Sequence, residues 1–392
     1  MNLTQYKNEL TGELYNILQY WIDHAIDEEY GGFYGKIDNE NNVDNKAAKG
    51  SVLNARILWT FAAAYNFTKE KKYLDVAARA FDYITTYFVD KANGGVYWTV
   101  DNTGQPLDTK KQIYALSFGL YAVSEYYRAS HLPEAKKMAN DLYDAIEKYS
   151  YDTVKGGYFE AFTKDWKPIA DLRLSEKDAN EKKTMNTHLH VLEAYTNFYL
   201  IGEDAGVKQS IQRLLNVFDK HIINPQNHHL ELFFDENWNK KGKVISYGHD
   251  IEAGWLLQEA AEAIHDEEWI GKMKTNAVKM ADAAAEGLDK DGGLWYETES
   301  SHLIKEKHWW PQAEAMVGFF NAAQVSGDEK YIQRSINSWQ FTKQFILDAK
   351  NGEWFWGVKE DYSIMPNEEK AGLWKCPYHN GRACLELLRR LP

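Results

Sequence analysis

The sequence predicts an all-α protein, a closed (α/α)6 barrel of six inner and six outer helices with short β-hairpins at one end, in a single domain over residues 1–392. Three observations lead there: a phrase that recurs at a near-fixed interval, helical sequence between its copies, and helices of two alternating characters. The phrase reads acid, a few polar residues, Gly-Gly, then aromatics. Asp27 leads Gly31-Gly32-Phe33-Tyr34, Asp90 leads Gly94-Gly95-Val96-Tyr97-Trp98 and Asp152 leads Gly156-Gly157-Tyr158-Phe159. Asp289 leads Gly292-Gly293-Leu294-Trp295-Tyr296, and Asp348 leads Gly352-Glu353-Trp354-Phe355-Trp356. A degenerate copy, Asn224 to Phe233 through Asn227-His228-His229-Leu230, fills the gap, so the leaders stand 63, 62, 72, 65 and 59 apart. A fixed period with helices between marks a repeat array, and six units suggest a ring with a central funnel.

The chain opens on an amphipathic helix over 4–24, where Leu10, Leu14, Ile17, Leu18 and Trp21 repeat at helical spacing. Residues 51–65 are apolar nearly all round, the mark of a helix buried on every side. The two kinds then alternate: amphipathic segments over 71–88, 133–150, 207–221, 267–285 and 328–347, and apolar ones over 112–127, 186–200, 249–264, 310–324 and 378–390. The amphipathic set forms the outer layer and the apolar set the inner. The Gly-Gly phrases read as tight hairpins in which glycine supplies positive φ.

Composition narrows the function classes. A formal charge of −13 makes nucleic acid or an anionic membrane an unsuitable partner, because phosphate binding needs clustered Lys and Arg. No apolar run is long enough to span a bilayer, and the start, Met1-Asn-Leu-Thr-Gln-Tyr-Lys-Asn-Glu, shows no secretory pattern. A cytoplasmic setting is expected. Cys376 and Cys384 lie eight apart in what reads as one helix, about 12 Å along its axis, too far for a disulfide. Aromatics make up 14% of the chain, an excess that suits core packing and also stacking on sugar faces.

Polar residues in buried helices are costly unless paired or used. Here they gather at the N-terminal end of each inner helix: Arg56 in the first, Tyr114 in the second, Asn186 with His190 in the third, His249 with Glu252 in the fourth, Trp310 with Glu314 in the fifth, His379 with Arg382 in the sixth. In an up-down ring these ends share one mouth. His190 lies on one face with Asn186, and His249 with Glu252. His188, two residues from His190 and on another face, reads as structural. His24, His131, His228, His229 and His265 read as ordinary solvent residues, and the degenerate fourth hairpin as irrelevant to the mouth. Trp309 and Trp310, beside Pro311, suit a sugar platform, and which makes the main contact stays open. No His-Glu-x-x-His, cysteine cluster or acidic trio with metal spacing is present, nor a phosphate-cradling glycine loop or Gly-x-Ser-x-Gly elbow. Neither metal nor cofactor is expected.

Three segments carry a family resemblance: Lys183-Thr-Met-Asn186-Thr-His188-Leu-His190-Val-Leu-Glu-Ala-Tyr195, Lys307-His-Trp309-Trp310-Pro-Gln-Ala-Glu314-Ala, and Trp374-Lys-Cys-Pro-Tyr-His379-Asn-Gly-Arg382. They resemble the N-acylglucosamine 2-epimerase superfamily, and within it members acting on β-1,4-linked disaccharides, over essentially the whole chain. The resemblance implies an (α/α)6 barrel that inverts C2 of a reducing-end glucose. It implies His249 and His379 as acid/base residues, His190 as a third, assisting histidine, and Arg56, Tyr114, Asn186 and Glu252 as a polar surround. It also implies Trp310 and Trp374 as rings holding the sugar, with Phe118 nearby.

Inverting such a carbon needs its C–H bond broken beside a carbonyl, so the sugar ring must open first. One neutral histidine would take the proton, Arg56 and His190 would stabilise the enediolate, and a second histidine would return a proton to the opposite face. Glu252, one turn from His249, is expected to set that ring's tautomer and raise its pKa. An inverting glycoside hydrolase, for which Glu252 and Glu314 are the candidate pair, is the main rival. A non-catalytic sugar-binding barrel and sibling epimerases or isomerases of monosaccharides are the others. The expected partner is a disaccharide such as cellobiose or lactose, and the expected state a monomer or weak homodimer.

Overall fold

The computed structural model describes residues 1–392. Twelve helices follow one another: α1 (Leu3–His24), α2 (Ser51–Thr68), α3 (Lys71–Tyr83), α4 (Ile113–Ser130), α5 (Pro133–Tyr149), α6 (Met185–Tyr199), α7 (Ala205–Val217), α8 (Tyr247–Ala263), α9 (Glu267–Ala284), α10 (Trp309–Ser326), α11 (Glu329–Phe341) and α12 (Tyr378–Arg390). The even-numbered helices touch in the order α2, α4, α6, α8, α10, α12 and back to α2, which closes the inner ring. Helices α3, α5, α7, α9 and α11 each back the inner helix that precedes them, and α1 backs α12. The result is an (α/α)6 barrel whose two chain ends complete it.

Helix starts follow local chemistry. Asn2 and Gln5 form a capping box on α1, while Asp204, Asp266 and Asp328 accept backbone N–H groups at the starts of α7, α9 and α11. Pro133 sits at the first turn of α5, where its missing N–H costs nothing. The inner helices are buried on all sides, as their all-round apolarity requires: in α2 every residue from Ser51 to Ala64 is buried. Three outer segments depart from the regular helices expected, because 84–88, 218–222 and 342–346 are wound as single π turns.

Each Gly-Gly phrase is a hairpin at the mouth end, and Gly94 and Gly95 show why glycine is used, with φ of 77° and 69°. The leading acid is not free. Lys49 donates to Asp27 at 2.7 Å, Lys111 to Asp90 at 2.9 Å, Lys183 to Asp152 at 2.7 Å, Lys307 to Asp289 at 2.8 Å and Lys370 to Asp348 at 2.6 Å. Four of those lysines stand two residues before an inner helix, in short strands that pair with the next unit: Lys49 with Val100, Lys111 with Phe162, Lys183 with Phe234, Lys307 with Val358. In the fourth unit Ile245 holds that register, opposite Thr298, and Asn224 replaces the acid. Both charges are absent together.

The fourth hairpin also corrects the solvent reading of His229. It is 4% exposed, and its Nδ1 lies 2.7 Å from Asp250 on α8, whose other oxygen accepts the Leu230 N–H. This hairpin thus grips the residue next to His249. Burial of an apolar phrase with a polar residue left inside it demanded such a partner. Cys376 precedes α12 rather than lying in it, and both cysteines are buried and free. No helix is long and apolar enough to cross a membrane.

Candidate active site

The inner helices share one frame, and the frame builds the site. The sixth residue of α2, α4, α6, α8 and α10 is Arg56, Phe118, His190, Glu252 and Glu314, and Arg382, fifth in the later-starting α12, completes the set. Neighbours in this set touch. The Arg56 guanidinium lies 4.1 Å from the Phe118 ring centre, and Phe118 lies 4.7 Å from His190. Arg382 Nη2 donates at 2.6 Å to both Glu252 Oε1 and Glu314 Oε1, and its Nη1 bonds Glu193 and Tyr378. One turn nearer the mouth stand Tyr114, Asn186, His249, Trp310 and His379.

Each of the three histidines at the mouth has its Nδ1 tied down. His190 pairs with Glu193 at 2.8 Å, His379 with Glu314 at 2.7 Å and His249 with Ser246 Oγ at 2.8 Å. An ionised carboxylate only accepts, so His190 and His379 donate from Nδ1. The expected link from Glu252 to His249 is not made, because Glu252 turns toward Arg382. Nor is His249 raised: burial, with His190 nearby, lowers its pKa to about 3. Burial, Arg56 and Arg382 likewise hold His379 well below its ordinary range. Burial and the Glu314 charge push Glu252 up to about 7. Burial also opposes ionisation of Glu193, yet Arg382 and His190 outweigh it and bring its carboxyl to about 2.

The side chains open into a cavity of about 500 Å³, within the size range that encloses a small organic ligand. Its inner wall holds Arg56, Tyr114, Asn186, His190, His249, Glu252 and His379, with Trp309, Trp310 and Trp374 beside them. Trp310 stands between the two catalytic candidates, its ring 4.6 Å from His249 and 5.7 Å from His379. Gly248 makes room for it, since a Cβ there would meet the Trp310 ring at 2.5 Å. Trp309 is 3% exposed and packs on Trp356, so Trp310 offers the more open ring. Arg56 donates to the Tyr114 hydroxyl at 2.7 Å and to the Trp374 carbonyl at 3.3 Å. Asn186 Oδ1 and Glu252 Oε2 are buried acceptors without a protein partner, on residues that line the cavity. Glu252, Glu314 and His379 also bring donor atoms within 4.8 Å of one another, a spacing a metal could use, but the Arg382 guanidinium already bonds both carboxylates.

The model of the N-acylglucosamine 2-epimerase (GlcNAc 2-epimerase) family matches residues 32–383 of this chain. The chain belongs to the N-acylglucosamine 2-epimerase family. It is 48% identical to a cellobiose 2-epimerase of Bacteroides fragilis over 97% of its length and 98% of that protein. It is 38% identical to the cellobiose 2-epimerase of Dictyoglomus turgidum over the full length of both. The solved cellobiose 2-epimerase of Bacillus thermoamylovorans superposes with a TM-score of 0.94 at 39% identity, covering 99% of this chain and all of that one.

In this N-acylglucosamine 2-epimerase family member, the sequence-predicted residues gather at one mouth, with two exceptions of position. Phe118 and Glu314 lie behind the wall, Phe118 against Arg56 and Glu314 beneath His379. His188 is fully buried, accepting the Tyr158 N–H on Nε2 and bonding the Thr184 carbonyl through Nδ1. Several lining residues carried no recognised signal. Tyr296 and Trp356 are the alternate aromatics of the last two Gly-Gly phrases, turned to the mouth while Leu294 and Trp354 enter the core. Glu193 could have been read from its place three residues after His190. A loop over 163–182 covers one side through Leu172 to Ala179 and is anchored by Gln112, whose amide donates to the Arg173 carbonyl at 2.9 Å. The one overlong interval in the repeat, 72 residues from Asp152 to Asn224, was its trace in the sequence.

Proposed function

We propose that this chain inverts C2 of the reducing-end glucose of β-1,4-linked disaccharides, converting cellobiose to glucosyl-mannose and lactose to epilactose. One observation carries the reading: two imidazoles, His249 and His379, flank the single ring of Trp310 from different helices, each with Nδ1 anchored inside the protein. A sugar carbon between them is reached from both faces.

The chemistry follows from that placement. Ring opening exposes the C1 carbonyl that acidifies C2–H. Burial holds both imidazoles neutral at rest, the form that accepts a proton. One removes the C2 proton, and the enediolate that forms places charge on oxygen. The Arg56 guanidinium, braced by Tyr114, supplies the cation there, and His190, whose Nδ1–H is held by Glu193, donates to that oxygen when its Nε2 is protonated as well. The other imidazole, having taken a proton from solvent, delivers it to the opposite face, and the first returns its proton to solvent; when His379 carries the charge, Glu314 behind it steadies the cation. Because the reaction runs in both directions, the two histidines exchange roles with its direction.

A hydrolase reading does not suit the geometry. Glu252 and Glu314 share Arg382 and lie with oxygens within 4.8 Å of each other, closer than the roughly 6.5–9.5 Å an inverting pair needs. The test is incubation with cellobiose and with lactose in D2O, followed by NMR. The 2-epimer, unchanged in mass apart from deuterium at C2, is expected. Cleaved glucose, or epimer that keeps all of its original C2–H, would overturn the reading.

A further inference from the structure

The tautomer of His249 is the point on which base catalysis turns, and nothing in its own helix fixes it. Its Nδ1 faces a hydroxyl, Ser246 Oγ at 2.8 Å, which can donate as readily as it accepts. If the hydroxyl donates, Nε2 carries the proton and the base is silenced. The direction is settled one residue further out. Ser246 is fully buried and sits directly opposite Glu297 across an antiparallel strand pair, where facing side chains share one side of the sheet. The Glu297 carboxyl thus stands across the strand pair from the Ser246 hydroxyl, and Glu297 lines the same cavity as His249. In the other units the place of Ser246 holds Gly50, Gln112, Thr184 and His308 and that of Glu297 holds Thr99, Ala161, Phe233 and Gly357. Only this unit sets a hydroxyl against a carboxylate.

We propose that Ser246 and Glu297 form a relay that positions His249: the Glu297 carboxylate accepts the Ser246 O–H, which obliges Ser246 Oγ to accept Nδ1–H and leaves His249 Nε2 bare toward the sugar. The inference rests on the proposed epimerase reading and assigns the element that makes His249 a base. Ser246 and Glu297 are positioning residues, acting on the reaction through the imidazole alone.

The relay has a pH signature. Burial, with Asp178 from the covering loop and Glu299 on its own strand, brings the Glu297 carboxyl up to about 7, against the Ser246 and Tyr296 hydroxyls. His249, which faces Ser246, Trp310 and His190, is already neutral far below that pH. Protonation of Glu297 releases the Ser246 hydroxyl to donate to His249. Activity should therefore be lost as pH falls through the Glu297 range, while His249 is still uncharged.

The experiment combines kinetics on cellobiose with 15N NMR of the histidine rings in wild type, Ser246→Ala, Ser246→Thr and Glu297→Gln. Wild type is expected to show His249 protonated on Nδ1 and bare on Nε2. Ser246→Ala should mix the tautomers and lower kcat about 10–100-fold with KM little changed, and Ser246→Thr should restore most of it. Glu297→Gln should flatten the acid limb of kcat. An Nε2–H tautomer in wild type, or Ser246→Ala with wild-type kcat and tautomer, would overturn the relay. So would an acid limb unmoved in Glu297→Gln. Loss of kcat in Ser246→Ala with an unmixed tautomer counts against it as well. The NMR arm needs no turnover, so a wild type that fails to epimerise cellobiose defeats the epimerase reading separately from the relay.

Discussion

At the scale of single residues, the structure sets each mouth histidine's two nitrogens apart. Nδ1 is spent inward on Glu193, Glu314 or Ser246, and the rings sit on residues that line the cavity. His249→Ala and His379→Ala should each lower kcat by about 10²–10⁴-fold, the usual worth of a positioned acid or base. A thermal melt near that of wild type should accompany the loss, because neither ring seals the core. Retained activity in either variant would remove that histidine from the mechanism. His188→Ala should do the reverse, lowering the melting temperature more than kcat, since it leaves the buried Tyr158 N–H without an acceptor. Trp374 is half-buried against Trp98 and Tyr114 at the cavity wall. Trp374→Ala should raise KM for cellobiose more than it changes kcat, because stacking held equally in ground and transition states is uniform binding. A fall in kcat at unchanged KM would contradict that role.

At the scale of the element, the repeated unit is a hairpin, a lysine and an inner helix, joined by an Asp–Lys pair that is buried on both sides in every copy but that of Asp289. Removing one partner of such a pair leaves a buried charge unmet and costs about 3–5 kcal/mol, whereas replacing both is often nearly neutral. The fourth unit already shows the second solution, Asn224 with Ile245. Asp90→Asn should therefore lower stability by about 3–5 kcal/mol in chemical denaturation. Adding Lys111→Ile should recover most of the loss. A double variant no more stable than the single one would show that the lysine contributes through more than its charge.

At the scale of the whole molecule, five copies of that pair set the response to acid. Burial opposes ionisation of Asp27, Asp90, Asp152, Asp289 and Asp348, but their lysines and turn N–H groups outweigh it and lower every one of these carboxyls. A depressed carboxyl pKa gives stability that is complete above the unfolded value, near 4, and is lost as pH falls through the folded one. Burial also lowers Lys49, Lys111, Lys183 and Lys370, so the pairs' gain is read on the acid side. The melting temperature should drop as pH falls below about 4, with a shallower drop in the Asp90→Asn/Lys111→Ile variant. An equal slope in both would separate acid unfolding from these pairs. Ring closure makes a second prediction. Trp339 and Trp354 donate to Glu9 and Glu13 of α1 at 2.7 Å, and Trp21 of α1 donates to Glu353 at the same distance. A chain lacking residues 1–24 should show no cooperative melt, because the last unit loses its outer layer.

The amino-acid sequence by itself determined the period, the alternation of amphipathic and apolar helices and the end of each inner helix where polar groups collect. These are local properties: periodicity and side-chain polarity depend on near neighbours in the chain. It also singled out His190, His249 and His379, because a histidine in an otherwise buried helix has to be either paired or used. Only the tertiary structure decided who the partners are. Glu314 reaches His379 from another helix, Arg382 draws Glu252 away from His249, and the loop over 163–182 covers a mouth built by distant units. His229 proved buried because Asp250, far from it in sequence, closes on it. Hydrogen bonds and charge pairs are set by distance in space, and in a closed ring that distance brings α12 against α2 and residue 382 against residue 193.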